Sequence, residues 1–179
     1  MNYAVFFRNL NLGRPNCPSK AQLERAFLAA GASAAASFQV NGTLAFSAAP
    51  GTRPHRLLAL ACQHLRAECG LREPAFLRRL DDLAGLVALA PFAAVDRSTV
   101  YECCVTFLHP DSPALPPAPW QSRRGDVEVL RFTDAEAFSL SRKLGSSPGS
   151  PNAALEKLLG QPGTTRSWNT LLRLLDKHG

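Results

Sequence analysis

The chain predicts an α+β protein, with an N-terminal ferredoxin-like (βαββαβ) unit packed with a second, smaller α+β subdomain. Three observations carry this. In the first half, runs of β-forming residues and stretches of helical periodicity succeed one another in the order β-α-β-β-α-β. An Asn41-Gly42 pair stands between two of the strand-like runs, a strong two-residue hairpin signal. Beyond it, a further mixture of helix and strand signals is broken by a proline-rich segment. The expected subdomains are residues 1–80 and 81–179.

Tyr3 to Arg8 is rich in β-formers and ends in the Asn/Gly/Pro-rich stretch Asn9 to Pro18. Helix one follows, with Ser19 and Gln22 at capping-box spacing and Leu23, Ala26, Phe27 and Ala30 on one stripe. Gly31 supplies a left-handed stop. Ala36, Phe38 and Val40 then alternate onto one side of a second strand, and Thr43 to Ser47 returns as the third. Pro50 to Pro54 breaks the chain before a helix that runs to about Cys69, with Leu57, Leu58, Ala61, Cys62 and Leu65 inward. Gly70 ends it, and Ala75 to Arg79 makes a fourth strand.

In the second half, Asp81 or Asp82 is placed to cap a third helix carrying Leu83, Leu86, Val87 and Ala90, closed by Pro91. Thr99 to Phe107 reads as a strand. His109 to Trp120 holds five prolines and reads as a stiff, extended surface loop. Asp126 to Phe132 pairs naturally with 135–141 as a hairpin, yet Thr133 and Glu136 also fit a capping box. Strand and helix both stay open for 135–141. A fourth helix is expected over Asn152 to Leu159 and a terminal one from near Ser167. There Trp168, Leu171, Leu172 and Leu175 form an apolar stripe, opposite Arg166, Asn169, Thr170 and Arg173.

With 179 residues, such a chain buries roughly 70% of its unfolded surface and needs no metal or disulfide staple. No run approaches a membrane span and no apolar leader precedes the first strand, so a cytoplasmic protein without a membrane partner is expected. The five cysteines, Cys17, Cys62, Cys69, Cys103 and Cys104, contain no C-x-x-C pair. Residues 1–79 hold 10 Lys/Arg against 3 Asp/Glu, whereas residues 80–179 hold 10 against 11. The basic half suggests an anionic partner.

Two segments are candidate sites. Arg8, Asn9, Asn11, Gly13 and Arg14, with Lys20 beyond, form a strand-to-helix loop of a kind that offers amide hydrogens to a phosphate or carboxylate. It is neither a Walker loop nor a dinucleotide fingerprint. At the other end, Arg166 and Asn169 flank a helix start that Thr165 or Ser167 can cap, with Trp168 as its core anchor. Val5 to Leu10 also fits the first strand of an RNA-recognition motif, but Thr43 to Ser47 lacks the paired aromatics of its third. His55, His64, His109 and His178 have no metal-ligand spacing, Asp81-Asp82 reads as a cap, and Cys17 has no identifiable base beside it. No catalytic constellation, cofactor or metal is expected.

The segment Thr164-Thr165-Arg166-Ser167-Trp168-Asn169-Thr170 resembles the Thr-Thr-Arg-Asn-Trp-Asn-Thr signature of a bacterial domain-of-unknown-function family, DUF 1697. Arg8, Asn11 and Gly13 match the opening Arg-Gly-Ile-Asn-Val-Gly-Gly of that family, with Asn9 and Arg14 standing where glycine is usual. Gly42 and Phe46 match its hairpin block, and Ala90-Pro91-Phe92 resembles a short Pro-Phe element. The resemblance implies two α+β subdomains of ferredoxin-like character and no known activity. Together the residues point to binding of a small anionic, phosphate-containing ligand through Arg8, Asn11, Gly13, Arg14, Arg166 and Asn169, with Gly42 and Trp168 structural. Arg166→Ala is expected to abolish that binding and leave the fold intact. The alternatives are non-specific nucleic-acid binding and a protein-interaction module.

Overall fold

The protein, a computed structural model that describes all residues 1–179, divides into two units: Met1–Ala84 with Leu174–Gly179, and Gly85–Arg173. The division falls inside the terminal helix, whose last turn and a half belongs with the first unit.

In the first unit, β1 (Tyr3–Phe7), α1 (Lys20–Ala29), β2 (Ala32–Phe38), β3 (Thr43–Ala48), α2 (Pro54–Cys69) and β4 (Ala75–Arg79) follow in the expected order. The sheet is antiparallel throughout, ordered β2-β3-β1-β4, the ferredoxin-like arrangement. Helix α1 starts as its sequence dictates. The Gln22 amide donates to Ser19 Oγ (3.2 Å), and the Ser19 amide donates to Gln22 Oε1 (2.8 Å). Gly70, at φ 73°, closes α2 in the left-handed conformation. Phe7, Leu23, Phe27, Phe46, Leu57 and Leu65 are fully buried in one cluster. Each such side chain contributes about 1.5–3 kcal/mol by leaving water.

The β2–β3 connection differs from the expected two-residue turn. Strand β2 stops at Phe38, and the loop spans 39–42 with Gln39 (φ 62°) and Gly42 (φ 70°) in the left-handed region. Val40, expected to continue the strand on the same side as Phe38, lies beyond its end and is 67% exposed. The cause is tertiary. A Cβ on Gly42 would lie 2.8 Å from Leu10 Cβ, so glycine lets this corner close onto the β1 loop, where the Phe7 amide donates to the Gly42 carbonyl (2.8 Å).

Helix α3 (Leu80–Ala88) begins directly after β4, so Asp81 and Asp82 occupy its first turn rather than capping it. There they complement the positive helix end, and Asp81 also pairs with Arg79 at 2.8 Å.

The second unit contains a short 3-10 turn (Arg97–Thr99), β5 (Glu102–Phe107), β6 (Trp120–Gln121), β7 (Val127–Phe132), β8 (Glu136–Ser141), α4 (Pro151–Leu159) and β9 (Thr164–Ser167), and begins α5 (Trp168–His178). Its antiparallel sheet is ordered β6-β7-β8-β5-β9. Residues 136–141 are strand. Thr133 and Glu136 do bond at capping-box spacing, the Glu136 amide donating to Thr133 Oγ1 (2.9 Å), but they close the β7–β8 turn. Cys103 and Cys104 point to opposite faces and are both buried. On one face Leu155 and Leu159 of α4 pack with Val129 and Ala137, and on the other Phe92, Phe138 and Trp168 meet edge to face at 5.2–6.2 Å.

Strand β9 is an element the helical pattern of the C-terminal block concealed. Thr164 to Ser167 extends along β5, and Thr165 Oγ1 meets Thr106 Oγ1 at 2.8 Å. Ser167 then caps α5, accepting from the Thr170 amide (3.2 Å). The buried side of α5 is Trp168, Leu171 and Leu174, while Leu172, expected inward, is exposed. No helix is long and apolar enough to cross a membrane.

Candidate functional site

A hollow of about 600 Å³ in the second unit lies between the β6–β7 turn and α4. That volume falls within the range of small-molecule sites. Its first wall begins where the proline-rich loop ends. Trp120 pairs with Val129 across the two-residue strand β6, and its half-buried indole packs on the core cluster while lining the hollow. The chain then turns over Ser122 to Gly125, the Gly125 amide donating to the Ser122 carbonyl (2.9 Å). Arg123 and Arg124 are therefore the corner residues of a β-turn, both exposed, with Gly125 at φ 70° releasing the chain into β7.

The second wall is α4. Ala153, Ala154, Lys157 and Leu158 line the hollow from one helical face, and Ser150 caps the helix by accepting from the Ala153 amide (3.3 Å). Gly149 holds the walls at their separation. A Cβ there would meet the Asp126 carbonyl oxygen at 2.3 Å, so only glycine lets the chain entering α4 lie against the start of β7. Arg142 ties the same corner, its amide donating to the Asp126 carbonyl and its own carbonyl accepting from the Gly149 amide, both at 2.9 Å.

The lining is chemically divided. Trp120, Val127, Ala153, Ala154 and Leu158 supply carbon surface, and Arg123, Arg124 and Lys157 supply three cations against the single carboxylate of Asp126. That carboxylate is 8% exposed and already engaged, accepting from Ser122 Oγ (2.8 Å) and lying 3.4 Å from Arg124 Nε. The serine hydroxyls are committed as well, Ser122 to Asp126 and the Val127 amide, Ser150 to its cap. No histidine lines the hollow. The arrangement can hold an organic anion by charge and contact area, and it presents no nucleophile joined to a base.

None of the residues selected from sequence lines this hollow. Arg8, Asn11, Gly13 and Arg14 belong to the first unit, and Arg166 and Asn169 to the second. Arg8 donates to Glu73 Oε2 at 2.8 Å. The amides of the β1–α1 loop are turned inward: Leu12 donates to Val40 (2.8 Å), Gly13 to Pro18 (3.0 Å) and Arg14 to Asn11 (3.2 Å). Asn11 and Arg14 side chains are exposed.

Arg166 is 6% exposed and donates to Thr164 Oγ1 (2.8 Å) and the Thr165 carbonyl (2.9 Å). Burial pushes its pKa down to about 10, which leaves it cationic at neutral pH. It shares a sheet face with Val105, opposite in the β5–β9 register, and not with its neighbours Thr165 and Ser167. Asn169 lines a smaller hollow of about 340 Å³ at the start of α5 together with Arg97, Tyr101 and Glu102.

Trp120, Arg123, Arg124 and Lys157 are what sequence reasoning passed over. The available signal was local: a tryptophan at the end of a proline-rich run, three residues before an Arg-Arg-Gly turn. Charge counted by halves hid it, because the second half is nearly neutral.

The family described as "Protein of unknown function (DUF1697)" matches residues 1–138, a stretch that includes Trp120 and both turn arginines but neither α4 nor the C-terminal block. No curated protein and no solved structure matches the chain. With the match spanning the whole ferredoxin-like unit and more than half of the second, the chain belongs to the DUF1697 family of proteins of unknown function.

Proposed function

We propose that the protein binds a small phosphate-containing anion in the hollow between the β6–β7 turn and α4. The observation that carries this reading is the convergence of Arg123, Arg124 and Lys157 on one concave surface of about 600 Å³ whose remaining wall is largely apolar. Guanidinium groups suit phosphate because their fork of donors matches its oxygens, and the exposed lysine adds a mobile point charge. The α4 end that opens onto the same space contributes the positive end of its dipole.

The test is thermal unfolding of the full chain with inorganic phosphate and with adenosine monophosphate. A rise in Tm is expected for the wild type. It should be lost in Arg123→Ala/Lys157→Ala, whose replaced side chains are exposed, so the ligand-free Tm stays near that of the wild type. Absence of any shift in the wild type overturns the reading. Non-specific nucleic-acid binding draws support from the same tryptophan-and-arginine pairing. A gel shift on single-stranded DNA that weakens steeply with salt would favour it over a monomeric ligand.

A further inference from the structure

We infer that the phosphate-bearing ligand of this hollow is a nucleotide-class molecule, whose planar aromatic ring stacks on Trp120 while its phosphate reaches Arg123, Arg124 and Lys157. The inference rests on the phosphate-binding reading and adds what the other end of the ligand must be.

Trp120 is the starting point. A tryptophan whose only role is structural tends to be covered, as Trp168 is at 8% exposure, whereas Trp120 remains half-buried at the edge of its sheet. Its position is nonetheless fixed before any ligand arrives. The backbone is paired to Val129, and the ring packs on the cluster of Leu108, Val129, Leu155 and Leu159. A ring held in this way offers a stacking surface with little further loss of freedom on binding. The α4 wall of the same hollow is built from Ala153 and Ala154, whose small side chains leave room for a flat group.

The polar inventory argues against a sugar phosphate or another polyol. A polyol needs acceptors along its edges as well as donors, and the side-chain acceptors here are already engaged within the protein. Ser122 Oγ donates to Asp126, Ser150 Oγ caps α4, and the Asp126 carboxylate is held by Ser122 and Arg124. Carbon area and positive charge are what remain to be bound. A planar aromatic ring joined to a phosphate satisfies both, and affinity should follow ring area more than the pattern of groups on its edge. Purines are thus expected to bind better than pyrimidines, with little distinction between adenine and guanine.

Isothermal titration of the full chain with adenosine monophosphate, ribose 5-phosphate and adenosine separates the two readings. Adenosine monophosphate is expected to bind on the order of ten- to a hundredfold more tightly than ribose 5-phosphate, the usual worth of one stacked base. Trp120→Leu should remove that difference and Trp120→Phe should keep most of it. Equal binding of adenosine monophosphate and ribose 5-phosphate overturns the aromatic inference and leaves the phosphate reading standing. Adenosine binding as tightly as adenosine monophosphate overturns the phosphate reading instead. Failure of all three to bind overturns both. The comparison in the wild type needs no variant, so instability of Trp120→Leu does not shield the inference.

Discussion

Arg166 and Gly149 show how differently a residue behaves once its surroundings are known. In the sequence, Arg166 stands in a polar motif ahead of a helix and reads as a candidate partner for an anion. In the fold it is buried, with donors committed to Thr164 and Thr165. Arg166→Ala therefore acts on stability first, contrary to the intact fold expected from sequence. Hydrogen bonds from a charged group contribute about 1.5–3 kcal/mol, and a loss of at least about 2 kcal/mol in urea unfolding is expected. Arg166→Lys should recover only part of it, since an ammonium lacks the planar fork. Wild-type stability in the alanine variant would contradict this.

Gly149 has no sequence signature beyond membership of a Ser/Pro/Gly break, yet its added methyl would collide with the Asp126 carbonyl at 2.3 Å. Gly149→Ala should lower stability by about 1–3 kcal/mol, typical of overpacking. Because the same contact sets the α4 wall, ligand-induced Tm shifts should shrink as well.

At the scale of elements, those governed by local chemistry were legible. The Ser19–Gln22 capping box, the Gly70 stop and the first and fourth strands appear where sequence puts them, because their determinants lie within a few residues. Ser19→Ala should cost about 1 kcal/mol in a denaturation experiment, and Gln22→Ala a smaller amount from the reciprocal bond.

Elements decided by remote partners were less legible. The β2–β3 loop lengthened because Gly42 closes on Leu10, and β9 formed because β5 offered an edge to Thr164–Ser167. Residues 136–141 became strand since β7 and β5 flank them on both sides, an influence that a capping-box spacing cannot register. The apolar stripe of α5 was rotated for a similar reason. Leu174, assigned to the first unit, is fully buried, and His178 two turns of chain from Leu171 meets Phe38 edge to face at 6.1 Å.

For the molecule as a whole, burial of thiols sets an alkaline limit. Desolvation raises Cys62 to about 11 against the opposing charge of Arg66, and raises Cys104 to about 12 with help from Glu102, both from an ordinary 9.0. Both thiols stay protonated in the native state at pH values where the unfolded chain has lost those protons. Stability is then full below about pH 9 and falls as pH climbs from there toward the native values. The urea midpoint should decline between pH 9 and 10.5, with a gentler slope in Cys62→Ala/Cys104→Ala. Equal slopes would contradict the assignment.

The charge map belongs to this scale too. All three acids of residues 1–79 are paired, Glu24 with Lys20, Glu68 with Arg25 and Glu73 with Arg8. The cation cluster used for the proposed function comes instead from the nearly neutral half.

The amino-acid order alone settled the α+β class, the β-α-β-β-α-β frame and the family, because these follow from periodicity, caps and short motifs that neighbouring residues carry. It did not settle which arginines line a hollow and which are internal. Trp120, Arg123 and Lys157 lie up to 37 positions apart and line one hollow only after β7 and α4 have packed. Exposure, pairing and concavity are properties of that packing, and a charge that looks available along the chain becomes internal or accessible only when the elements around it close.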